Sequence, residues 1–207
     1  MAERPNVATN ARISSAEARQ RILDATRDLL DRRGDSVLNV AAIAGRAGIH
    51  RTVFYRHFDD TNQAIAALID ELASRQAVGA GAWFTDDGPT GTRDVIYANA
   101  LGAAQAFAPN AQLVCAIADA AAHDDELRTM WHERFVQPRI DATAAAIRRD
   151  QATGSVRVDL DPDDTALALQ TMGITLGLQI LGREHGEPER LADIITPIWE
   201  AVLFGSS

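Results

Sequence analysis

Apolar positions recur along this chain at three- and four-residue intervals, with no sustained two-residue alternation. That spacing predicts amphipathic helices and no strand. Between about Ala16 and Arg33, residues Ile22, Leu23, Thr26, Leu29 and Leu30 share one face, and Gly34 supplies a C-terminal stop. Asn39 caps a short second helix, Val40 to Ala47, which Gly48 ends. A third short helix is predicted from Arg51 to His57. Asp60 or Thr61 then caps a long fourth helix, about Asn62 to Phe84, which runs into the turn-rich segment 85–91.

Further helices are predicted at 92–107, 110–122 and 124–152, with Pro109 separating the first two and Pro138 kinking the third. Asp161-Pro162-Asp163-Asp164 combines an N-cap, a first-position proline and first-turn acids. From there to Leu181 the chain is apolar on nearly every side, so the helix requires cover on every side. The last helix, roughly Pro188 to Phe204, carries Leu191, Ile194, Ile195, Ile198, Val202 and Leu203 on a broad stripe. With 38 alanines besides, the fold expected is all-α. It divides into a flexible arm (1–15), a three-helix unit (16–60) and a helical body (61–207).

Composition narrows the class. At 207 residues, 46% hydrophobic and 24% charged, the chain has globular rather than disordered composition. No run of 18 consecutive apolar residues and no signal-peptide core occurs, so a soluble, cytoplasmic protein without a membrane partner is expected. The single cysteine, Cys115, forms no internal disulfide and belongs to no CxxC metal site; neither metal nor cofactor is implied. The net charge of −9 argues against nucleic acid until it is divided. Residues 1–58 carry ten Arg against six acids, a net +4, whereas 59–207 carry ten Arg against 23 acids, a net −13. The basic quarter and the acidic body point to two separate jobs.

Two short helices joined by a glycine turn behind a longer one form the pattern of a helix-turn-helix, whose second short helix enters the DNA major groove. At 3.6 residues per turn, Arg51, Thr52, Tyr55 and Arg56 share one arc of the third helix, with Val53, Phe54 and His57 opposite. One face can pack while the other offers guanidinium, hydroxyl and phenol groups to a duplex. Residues Arg21–Ala25, Val40–Ile49 and Thr52–Phe58 resemble the N-terminal signature of TetR-family transcriptional regulators, over about a quarter of the chain. Segments Met130–Gln137 and Ile198–Gly205 are also similar to those of one repressor within that family.

The resemblance implies a helix-turn-helix unit on a helical domain that binds a small molecule and dimerises. Carried over by position, it implies that Thr52 and Arg56 contact bases or lie near them, and that Arg51 and Tyr55 meet phosphates. Asn39 and Val40 would aim the start of the second helix at the DNA backbone. His50 stands where the family often has Ser, and Thr61 where it often has Lys, which removes one phosphate contact. His57 reads either as a phosphate donor or as a satisfied structural histidine. Arg4 and Arg12 on the arm are further candidates for reaching the duplex.

In the body, the bulky residues Trp83, Tyr97, Phe107, Met130, Trp131, Phe135, Met172 and Trp199, with Thr175 and Gln179 among the few polar ones, are the candidate lining of a site for a mostly apolar effector. Taken singly, each reads more readily as plain core. The last two helices are more apolar than a monomer hides easily, and Gly173, Gly177 and Gly182 permit close approach, so a homodimer reading a palindromic operator is expected. The function this predicts is repression released by a small molecule, with activation, or an architectural DNA binder without a ligand, as alternatives. An enzyme is disfavoured. Cys115 lies in an apolar run, His123-Asp124-Asp125-Glu126 sits at a helix junction where capping explains it, and no catalytic motif is present.

Overall fold

Helix α1 (Ser15–Asp31) buries Ala18, Ile22, Leu23, Ala25 and Thr26 along one stripe. The computed structural model describes residues 13–31, 38–79, 81–85 and 91–205. The arm through Arg12, the Gly34 stop and residues 86–90 of the turn-rich segment lie outside them. The Asn39 cap forms as expected: its Oδ1 accepts from the Ala42 N–H at 2.9 Å, starting α2 (Val40–Ala47). Gly48, at φ 65°, ends the helix in a left-handed turn that a side chain would strain.

The third helix is shorter than its pattern. Helix α3 (Arg51–Phe54) is one α turn, after which the Arg56 and His57 N–H groups reach back only three residues, to the carbonyls of Val53 and Phe54. This tighter coil is the usual way a short helix ends, and it keeps the side chains in register. Asp60 rather than Thr61 caps α4 (Thr61–Gly79), its Oδ1 accepting from the Gln63 N–H at 2.8 Å. The expected continuation to Phe84 fails because Gly81 sits at φ +77°, outside helical space. Only a 3₁₀ turn, Ala82–Phe84, follows.

Helices α5 (Arg93–Phe107) and α6 (Ala111–Ala121) flank a 3₁₀ turn that carries Pro109. Next come α7 (Asp125–Trp131), a π turn at His132–Val136, and α8 (Gln137–Ala152). The kink expected at Pro138 is therefore a widened turn just before it. Pro138 has no N–H and its ring crowds the carbonyl four residues back, and the Gln137 N–H donates five residues back, to His132. Asp161 caps α9 (Pro162–Gly177), its Oδ1 accepting from the Asp163 and Asp164 N–H groups. A second π turn, Leu178–Arg183, and α10 (Pro188–Phe204) complete the chain.

No strand occurs among the described residues. Helix α1 packs on α2, α4 and α6; α4 packs in turn on α5, α7 and the first π turn; α8 lies on α9, and α5 on α10. Two stretches, Arg93–Ala121 and Pro162–Arg183, are long and apolar enough to cross a membrane by length and composition alone. In this fold both are walls of one bundle, with buried faces in the shared core. The cover expected all round α9 is incomplete, because Leu167 is 49% exposed.

Gly182 shows how tightly the second π turn seats. A Cβ there would stand 2.1 Å from Cys115 Sγ, and Cys115 itself is buried. Gly182→Ala is expected to lower unfolding stability by about 1–3 kcal/mol through overpacking. Adding Cys115→Ala should recover most of that loss, as read from urea midpoints; no recovery would mean that the clash is not what the substitution costs.

Candidate functional site

Phe54 is fully buried and holds α3 against α1 and α2, its ring 5.9 Å from that of Phe58. That anchorage turns Arg51, Thr52, Tyr55 and Arg56 to solvent together, with Val53 and His57 half-buried behind them. Tyr55 is 55% exposed, unusual for so large a ring. Arg56 and His57 also border a shallow concavity with Ile13, Ser14 and Ser15 at the start of α1. His50 is exposed, Val40 packs against the core, and Asn39 is committed to its cap. All four residues of the face drawn from the helical wheel are thus exposed.

The body encloses a cavity of about 360 Å³ between α5, α8, α9 and α10. Of the ten predicted lining residues, Trp83, Phe107, Phe135 and Trp199 border it. Tyr97, Met130, Trp131, Met172, Thr175 and Gln179 do not, and helix phase explains most of this. On α5 the cavity face runs Ile96, Asn99, Ala100, Ala103, Ala104 and Phe107, and on α9 it runs Gln170, Gly173, Ile174 and Gly177. Tyr97, Met172 and Thr175 are off those stripes, half-buried or exposed. Thr175 donates to the Thr171 carbonyl and Gln179 to Glu184, both on the outside. Met130 is half-buried, and Trp131 stacks on the outer side of Phe135 at 4.1 Å. Selection by side-chain size missed the alanines and glycines, which create the space by leaving it unfilled.

Two arginines missed in the sequence also border the cavity. The Arg139 guanidinium lies 3.7 Å over the Phe135 ring and donates to the Phe135 carbonyl. Burial pushes its pKa down to about 10, so it remains a cation near neutrality. Arg134 reaches the other way, to Asp70 of α4, at 2.8 Å. The cavity wall and the helix that supports the DNA-facing unit are therefore joined directly. Arg27 of α1 pairs with Glu71 of α4 at 3.1 Å, and Asn62 Nδ2 donates to Asp124 and Glu126 at the start of α7. Asp150, 1% exposed, accepts from Trp83 Nε1 and the Gly91 N–H, both at 2.8 Å, and so pins one end of the cavity. His123 and Asp124 take the capping roles expected of them: His123 bonds the Asp119 carbonyl, and Asp124 Oδ1 accepts from the Leu127 N–H at 2.8 Å. Among the described residues, no cluster of three metal-ligating side chains forms.

A solvent-facing helix-turn-helix carried on a cavity-bearing helical bundle is the architecture of a DNA-binding regulator. Residues 22–68 match the model for bacterial regulatory proteins of the tetR family, and residues 90–196 match that for the tetracyclin repressor-like C-terminal domain. The chain belongs to the TetR family of transcriptional regulators. It is 24% identical over 205 residues to the HTH-type transcriptional regulator EthR of Mycobacterium tuberculosis, spanning 98% of this chain and 94% of that one. In fold it is similar to Salmonella enterica GusR, with a TM-score of 0.73 at 19% identity over 96% of this chain and 99% of that one. It is likewise similar to SmeT of Stenotrophomonas maltophilia in its complex with triclosan, with a TM-score of 0.72 at 22% identity over 90% and 91%.

The Asp124 junction carries a pH signature. The Leu127 N–H, with help from Asn62, holds the Asp124 carboxyl below its ordinary value. A carboxyl lowered on folding stabilises the native state above its unfolded value, and that support is lost as pH falls through the folded one. In urea titrations across the acid range, Asp124→Asn should lose less stability than the parent chain between neutral and acid pH. An identical loss in both would remove Asp124 from the junction's energetics.

Proposed function

We propose that this regulator is a repressor which binds a palindromic operator as a homodimer and is released by a mostly apolar small molecule. In this reading residues 16–60 form the DNA-reading unit and 61–207 the sensing and dimerising body. The observation that carries it is the α3 surface: two guanidinium groups, a hydroxyl and a phenol, all exposed, on a helix anchored by the buried Phe54. Thr52 and Arg56 read base edges, and Arg51 and Tyr55 hold phosphates. His50 and His57 flank them, and Asn39 and Val40 bring the start of α2 to the backbone.

The cavity supports the sensing half of the proposal. Its volume falls in the range of small-molecule sites, and aliphatic and aromatic groups dominate its walls. SmeT, similar in fold, forms a complex with triclosan. Release then follows from population shift: an occupant that fits one arrangement of the π turn better than another biases Arg134, Asp70 and α4, and with them the separation of the two reading units. Dimerisation is supported by Leu167 on α9 and Ile198 on α10, exposed at 49% and 39%. A surface of this kind is what a second copy would cover.

On the duplex upstream of its own gene, Tyr55→Phe and Arg56→Ala should each weaken binding by about 1–3 kcal/mol in a mobility-shift titration while leaving the unfolding midpoint in place. Unchanged affinity in both would refute the assignment of α3. Leu167→Asp with Ile198→Asp should convert a dimer to a monomer in sedimentation at micromolar concentration; a double variant that remains dimeric would move the interface elsewhere.

A further inference from the structure

Trp131, Phe135 and Arg139 form one stack through the first π turn. The Trp131 ring lies against Phe135 with centroids 4.1 Å apart and planes 19° from parallel, and the Arg139 guanidinium carbon stands 3.7 Å over the same ring. Two groups so close to one six-membered ring cannot share a face of it, so they occupy opposite faces. Phe135 and Arg139 border the cavity, and Trp131 does not. The guanidinium therefore covers the face of Phe135 that is turned to the cavity, and Arg139 is only half-buried rather than sealed away.

The Phe135 ring and carbonyl oxygen solvate this cation without neutralising it. Burial weighs on the charge, as its pKa, lowered to about 10, records. Arg134, the other cation at the cavity, is answered by Asp70 of α4. Among the described residues, no Asp or Glu borders the cavity. The wall is thus mostly apolar, with a cationic spot on α8. A guanidinium carries five N–H donors in a planar fork, so it can serve a bound carboxylate beside the acceptors it already has. An anion placed there offsets the cost of the buried charge. A neutral group of the same shape does so less, and a second cation adds to that cost.

Resting on the reading of this cavity as the effector site, we propose that its ligand is an amphipathic anion, with an apolar body lying between α5, α9 and α10 and one carboxylate set against the Arg139 guanidinium on α8.

Calorimetric titration of the full chain at neutral pH with decanoate, decanamide and decylammonium varies the charge at one end of a common apolar chain. Decanoate should bind at least about tenfold more tightly than decanamide, and decylammonium most weakly. In Arg139→Gln the advantage of decanoate over decanamide should fall to about twofold or less, whereas Arg139→Lys, which keeps the charge, should leave decanoate ahead. Equal binding of decanoate and decanamide to the parent chain, or tightest binding of decylammonium, overturns the anionic class and leaves the cavity's sensing role standing. An undiminished decanoate advantage in Arg139→Gln overturns the assignment to Arg139. If none of the three binds, the sensing role itself fails, and the ligand class with it.

Discussion

Helix α4 is the element on which everything else depends, because it belongs to two cores at once. Ala64, Ile65, Leu68, Ile69 and Leu72 are all buried, and they lie between α1 on one side and α5, α7 and the first π turn on the other. Each fully buried Leu or Ile contributes about 1.5–3 kcal/mol. Sliding α4 against either neighbour would therefore uncover several such side chains. The DNA-facing unit therefore cannot tilt against the bundle without disturbing α4 and the direct contact of α1 with α6. The charged ties repeat the point, with Arg27 to Glu71 on the α1 side and Arg134 to Asp70 on the cavity side. Exposed pairs of this kind add little stability. What they supply is a fixed register between helix surfaces that apolar packing alone would leave free to slip.

The distribution of charge acquires a meaning in this arrangement. A net +4 before residue 59 and −13 after it would be incidental in a chain whose two parts intermingled. Here the basic segment ends just after α3, at Phe58, and the acidic one opens with Asp59 and Asp60 at the cap of α4. A duplex is thus attracted to one edge and disfavoured elsewhere, within a screening distance of about 8–10 Å at physiological salt. In the proposed reading, so modest a positive charge leaves much of the affinity to matched contacts and to the doubling that a two-fold partner would provide.

The DNA-facing unit was nearly all legible in the sequence, since its signals are local. Asn39 and Gly48 bound α2, Phe54 and Tyr55 fall on opposite faces of one short turn, and Asp60 starts the next helix; each choice depends on neighbours within a few residues. Pro138 signals a disturbance but not a π turn, because a missing N–H states that a ladder must break without stating where the slack is taken up. The cavity was legible only in part. Trp83, Phe107, Phe135 and Trp199 were found by their bulk, whereas Tyr97, Met172 and Thr175 failed on the phase of their helices. Empty space is defined by small residues such as Ala100, Ala103, Gly173 and Gly177, and nothing in one sequence separates an alanine that packs from one that leaves room.

The central claim is that the exposed face of α3, doubled by a two-fold partner, reads DNA. Selection of bound duplexes from a random pool by the full chain tests it most directly. The account predicts an enriched inverted repeat, with half-site centres separated by about one helical turn or a multiple of it. Enrichment of sequences without two-fold symmetry, or no enrichment at all, would contradict it.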